Sequence, residues 1–189
     1  MATVFAFLLL IVNFGISWWN AYAVGRSWAD SKAIGGWPRF LVWCAGIMSA
    51  CGFTWCYTIV TAIAAGALGF LDAEHVRAVI ELGYVLIIIP VLGTGMAVWI
   101  DSLTTAWRRR DFASIGVASW NTYAQIHNTY SAVQALPGIF KHLGKVFGGS
   151  KSDSKGGGAM AMLVMLIVIF ALGGGIMTTV VIVRSTARK

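Results

Sequence analysis

The chain has 189 residues, 58% of them hydrophobic and only 11% charged, with a net charge of +7. Soluble domains carry roughly a quarter charged residues, so this composition excludes a water-soluble globular protein. What lies outside the apolar runs is too short for a second large core, which leaves one membrane domain with a single aqueous insert.

Four runs, at 2–24, 40–71, 82–100 and 159–183, contain no Asp, Glu, Lys, Arg or His. A helix rises ~1.5 Å per residue, so ~20 residues cross a ~30 Å hydrocarbon core. The sequence therefore predicts an all-α integral membrane protein with four transmembrane helices and an amphipathic helical insert between helices three and four. Its parts are a three-span region at 1–101, a basic aromatic insert with a Ser/Gly linker at 102–157, and a fourth span with a basic tail at 158–189.

In the first run Ala21-Tyr22-Ala23 has the small-x-small form of a signal cleavage site. No Lys or Arg precedes the apolar core, and Trp18-Trp19 sits where small residues belong, so the run reads as a span. Asn13, Ser17 and Asn20 fall on one helical stripe. Against lipid such groups would be costly, so the stripe is expected to bond a neighbouring helix or line a pore.

The second run carries small residues on two opposite sides. Ala45, Ser49, Gly52 and Cys56 form one; Thr54, Thr58, Thr61 and Ala65 form the other. Such a helix is expected to lie between two neighbours. Cys44, Cys51 and Cys56 match no zinc spacing and read as packing residues. In the third span Pro90 and Thr94 share a face with Asp101, and proline usually bends a helix. The fourth holds Gly173-Gly174-Gly175, which predicts a flexible point, with Gly175 on a contact face.

Helix three is expected to continue past Asp101 to Trp107 and Arg108-Arg109-Arg110. An aromatic followed by cations is the pattern of an interfacial anchor on lipid headgroups; beside a membrane, nucleic acid is the weaker partner for an arginine triplet. Trp120, Tyr123, His127 and Tyr130 then form a 3-4-3 stripe, expected to be a packing or partner-binding face with His127 hydrogen-bonded in it. Pro137-Gly138 is read as a break. A short cationic amphipathic helix follows at 139–147, with Ile139, Phe140, Leu143, Val146 and Phe147 on one face and Lys141, His142 and Lys145 on the other. Phe140, Lys141, Leu143 and Lys145 are its expected contacts with anionic headgroups.

Ten of the fourteen basic residues lie in the first and third connections of this four-span scheme. The positive-inside rule then places the amino terminus outside and 102–157 inside. The basic tail at 184–189 would end outside, against the rule.

Chemistry has little support: no histidine lies in a span, and no phosphate loop, zinc spacing or carboxylate pair is present. A non-enzymatic protein without cofactor or metal is expected. Proton or ion coupling also usually leaves charges near the bilayer midplane, and here there are none. The expected function is a structural or assembly subunit of a larger membrane complex. Its composition suits a bacterial cytoplasmic membrane, as in secretion, conjugation or phage-related machinery. The alternative is a homo-oligomeric channel or holin-like permeabilising protein, for which more polarity than one stripe is expected. Partners are the bilayer, its anionic headgroups, and further copies or other membrane proteins.

Overall fold

The computed structural model describes residues 2–147 and 157–187. They form five helices: α1 (Ala2–Ile34), α2 (Gly36–Ala67), α3 (Ala73–Arg109), α4 (Phe112–Phe147) and α5 (Gly157–Ala187). α1, α2, α3 and α5 are long and apolar enough to cross a membrane, and the chain is a multi-pass integral membrane protein.

Short turns set the helix directions. Gly35 and Gly36 take φ of 69° and 54° between α1 and α2, a region glycine enters without a Cβ penalty. Asp72 caps α3 by accepting the His75 N–H at 2.9 Å, and Asp111 accepts the Ser114 N–H at 2.7 Å as α4 begins. Those backbone hydrogen bonds hold both carboxyls below their ordinary pKa. Arg110, at φ 54°, ends α3 in the left-handed conformation and reverses the chain.

α2 is the centre of the bundle and packs against α1, α3 and α5. Its two small-residue sides thus meet three neighbours rather than the two expected. α1 also touches α5, while α4 lies outside and packs along α3. A cluster including Ala62, Val79, Ile139, Leu143, Val164 and Val168 fills the end nearest Asp72. α5 therefore starts at that end, and its Val183 and Thr186 reach Gly25 of α1 at the other. α1, α3 and α5 run one way, α2 and α4 the opposite way.

Lipid tails give helices no water-driven reason to associate, so close approach must supply the attraction. A glycine sits in each main seam. A Cβ on Gly52 would strike Ser17 of α1, and one on Gly83 would lie 2.5 Å from Thr58 Cγ2. At Gly175 it would meet the Thr54 backbone nitrogen at 2.6 Å, and at Gly25 the Val183 carbonyl at 2.8 Å. At Gly95 it would lie 2.6 Å from Gln125 Oε1 of α4.

Residues 102–109 are the last turns of α3, which continues past Asp101 as expected. Beyond them the insert differs from expectation: 112–147 form one helix with neither a break at Pro137 nor a separate piece at 139–147. Proline removes a single helical bond, to the Val133 carbonyl. Ala132 and Ile139, both buried, hold the helix on either side of it. α3 likewise continues through Pro90, and α5 through its three glycines, of which Gly175 is buried by α2. Most of the linker expected at 151–158 and the end of the basic tail lie outside the described residues; Gly157 and Gly158 open α5.

Candidate functional site: the outward face of helix α4

Most of the polar residues singled out in the spans are spent inside the bundle. Asn13 Nδ2 donates to the Gly52 carbonyl at 3.1 Å and to Cys56 Sγ at 3.3 Å. Ser17 donates to the Asn13 carbonyl, and Ser49 donates to the Ser17 carbonyl, each at 2.7 Å. Ser49 and Thr179 hydroxyls lie 3.3 Å apart, which ties α5 to the same seam. Asn20 is half-buried two turns from Asn13. This stripe joins α1 to α2.

Thr54 packs against Gly175 and Thr58 against Gly83, both fully buried. Thr61 and Thr94 return their hydroxyls to their own helices, to the Tyr57 and Pro90 carbonyls at 2.6 and 2.7 Å. Asp101 accepts the Trp37 indole N–H at 2.8 Å and links α3 to the start of α2. The three cysteines are free and buried, and among the described residues no three His, Cys, Asp or Glu gather as metal ligands.

Trp107 and Arg108–Arg110 stand exposed where α3 ends, with the Arg110 guanidinium 5.6 Å from the Trp107 ring. At that same end Arg39 stacks 3.8 Å over Trp28 and donates to the Trp28 carbonyl at 3.1 Å. An open apolar groove of about 560 Å³ between α1, α2 and α5 passes Trp28, Trp43 and Arg184.

α4 is where the expectations change most. Between Asp111 and Lys141 it holds 29 residues without an Asp, Glu, Lys or Arg. Its inner side follows α3 closely. Gln125 Nε2 donates to the Leu92 carbonyl at 3.3 Å, and the Trp99 indole N–H donates to Thr122 Oγ1 at 2.8 Å. Farther along, His142 Nδ1 lies 2.5 Å from Glu81 Oε2, whose other oxygen accepts from Arg77 at 2.7 Å. Leu92 is one residue from the middle of the apolar run 82–100, so Gln125 sits beside the middle of α3.

The stripe Trp120, Tyr123, His127 and Tyr130 points away from the bundle. Trp120, Tyr123 and Tyr130 are 60–62% exposed, with Ile126 and Val133 beside them at 63% and 69%. Tyr123 stacks on His127 at 5.9 Å, and Tyr130 accepts from Gln134. His127 is therefore exposed, and not the bonded core residue expected. His142 is also corrected, from the solvent face to the α3 seam. Leu143 packs inward, while Phe140, Lys141 and Lys145 stand exposed.

Sequence reasoning missed the His142–Glu81 pair, the Gln125–Leu92 bond and Gly25, Gly83 and Gly95. The uncharged length of 112–140 was the available signal for α4. Comparison with protein-family models, curated proteins and solved structures returns no match.

Proposed function

We propose that this chain is a non-enzymatic structural subunit of a membrane assembly, crosses the bilayer five times, and engages its partner through the outward face of α4. One observation carries the reading. α4 runs antiparallel along α3, and Gln125 bonds the carbonyl of Leu92 in the middle of the apolar run. A helix fixed there shares the bilayer depth of α3. Its outer side then brings exposed His127 and half-buried Asn128 to that depth, where lipid offers them no hydrogen bond, while the Thr129 hydroxyl is spent on the Gln125 carbonyl at 2.8 Å. An unpaired polar group in such surroundings costs roughly 2–7 kcal/mol, so protein cover is favoured.

Charge is compatible with five crossings: over the whole sequence they divide the fourteen basic residues nine to five, against ten to four for four crossings. Among the described residues, Arg26, Lys32, Arg39, Arg108, Arg109, Arg110 and Arg184 lie at one end with Asp30, Asp101 and Asp111. Arg77, Lys141 and Lys145 lie at the other with Asp72, Glu74 and Glu81. By the positive-inside rule the Arg110 end is cytoplasmic and the amino terminus outside. The start of the basic tail then obeys the rule, which four crossings did not allow. Trp107 and Arg108–Arg110 act as the anchor on anionic headgroups. A bacterial cytoplasmic membrane, and a place in secretion, conjugation or phage-related machinery, remain the proposed setting.

A second reading is the homo-oligomeric channel. What favours it is the outer face of α4, which supplies polarity that Asn13 and Ser17, bonded at the seam of α1 and α2, do not. Native mass spectrometry after gentle extraction tests the first reading: stoichiometric partners or further copies support it, and a lone monomer removes it. Ion flux through liposomes holding only this protein would select the channel.

A further inference from the structure

We infer that the outward face of α4 is covered by α4 of a second copy of this chain, the two helices running parallel about a two-fold axis along the membrane normal. The inference rests on the reading that the chain is an assembly subunit, and it names the partner. Three observations point to self-pairing. First, 112–140 carries no formal charge, so nothing on it selects an oppositely charged partner. Second, the Tyr123 hydroxyl and the Asn128 amide each offer both a donor and an acceptor, so the face complements itself. Third, copies inserted in the same direction match depth for depth. The polar level of His127 and Asn128 then meets its own image, as does the aromatic level of Trp120 and Tyr123. A two-fold contact uses the same patch on both subunits, which is the geometry this requires.

α4 is also free to make that contact. It is held along one side by α3, and Tyr123, His127 and Tyr130 project from the other at spacings of four and three. That spacing is one helical stripe, and on a parallel two-fold seam each residue faces its own counterpart. Interhelical bonds from histidine, asparagine and glutamine are a recognised source of association in lipid.

The test is disulfide cross-linking in native membranes, with single cysteines placed on a background where Cys44, Cys51 and Cys56 are alanine. Y123C, H127C and Y130C are expected to give a band at twice the 20.3 kDa monomer mass. V60C and L166C, exposed on α2 and α5, are expected to give none. Native mass spectrometry of the unmodified protein in nanodiscs is the second measurement, independent of the altered background. It should give a dimer, and H127L with N128L should reduce that dimer at least tenfold. Cross-links from α4 to a protein of another mass, or cross-links only at the control positions, would overturn the inference. A monomer accompanied by stoichiometric foreign proteins overturns self-pairing but leaves the assembly reading standing. A monomer with nothing bound overturns both.

Discussion

His142 of α4 and Glu81 of α3 meet at 2.5 Å and pin the end of the outer helix to the bundle. The two side chains are only 15% and 11% exposed, and Arg77 holds the far oxygen of the same carboxylate. The contact joins residues 61 apart in sequence, so it decides where the last turns of α4 lie.

Removing the imidazole leaves a shielded carboxylate with Arg77 as its main partner. H142A should cost about 1–3 kcal/mol, the usual penalty for orphaning a buried hydrogen-bonding group. H142Q, which keeps a donor, should recover part of it. Hydrogen exchange in nanodiscs reads the effect directly. Faster exchange at 139–147 with little change in α1 is the expected pattern, and unaltered exchange there would show that the pair does not hold α4.

Glycine substitutions should separate the seams from the lipid-facing surface. A Cβ at Gly175 meets backbone atoms of Thr54 and Ala50 at 2.6 and 2.8 Å, and backbone cannot turn aside. G175A should destabilise by about 1–3 kcal/mol, as overpacking does. Gly93 lies inside α3 with nothing within 4 Å of a built Cβ. G93A should instead stabilise by about 0.5–1 kcal/mol through helix propensity. Thermal unfolding in one detergent should move in opposite directions for the two. Equal shifts would mean that the α2–α5 approach is looser than it looks.

The four apolar spans were legible because an uncharged run of bilayer length has few other uses. The two small-residue sides of α2 were legible for a related reason: without water-driven association, small residues mark where helices touch. The helices of the insert were legible, but the fifth crossing proposed for α4 was not, because Ser, Thr, Asn and Gln dilute its hydropathy to that of a water-facing insert. Its aromatic stripe has the period of any amphipathic helix, and period alone does not say which side is turned inward. Pro137-Gly138 misled for a local reason. Turn chemistry predicts a break there, but packing of Ala132 and Ile139 on α3 outweighs one lost helical bond. His142 was assigned to the wet face because its partner, Glu81, belongs to another helix.

Acid should loosen the start of α3 and the start of α4 together. Asp72 and Asp111 have pKa values lowered chiefly by the backbone N–H groups of His75 and Ser114. A lowered folded value means the cap's stabilisation is present above the unfolded carboxylate range. It is lost as pH falls through the folded value. Exchange at the His75 and Ser114 amides should therefore be flat from neutral pH to about 5, after correction for intrinsic rates, and should show lost protection only below about 4. D72N and D111N should each abolish this acid response at its own cap and leave the other cap's unchanged. A transition near pH 6 at either cap would assign the effect to a histidine instead.

The number of crossings is decided by which side Lys145 faces. Four crossings with an insert put Lys145 on the same side as Arg110; five put it beside Asp72, across the membrane from Arg110 and Arg184. K145C and D72C should be modified by an impermeant maleimide from one side of sealed vesicles, and R110C and R184C only from the other. All four positions lie at helix ends or in turns, and among them D72C alone gives up a capping bond, that to the His75 N–H. Labelling of K145C together with R110C would return α4 to the aqueous side and detach it from the depth of α3. The polar face around His127 would then be solvated, and neither a partner helix nor a channel would be needed to cover it.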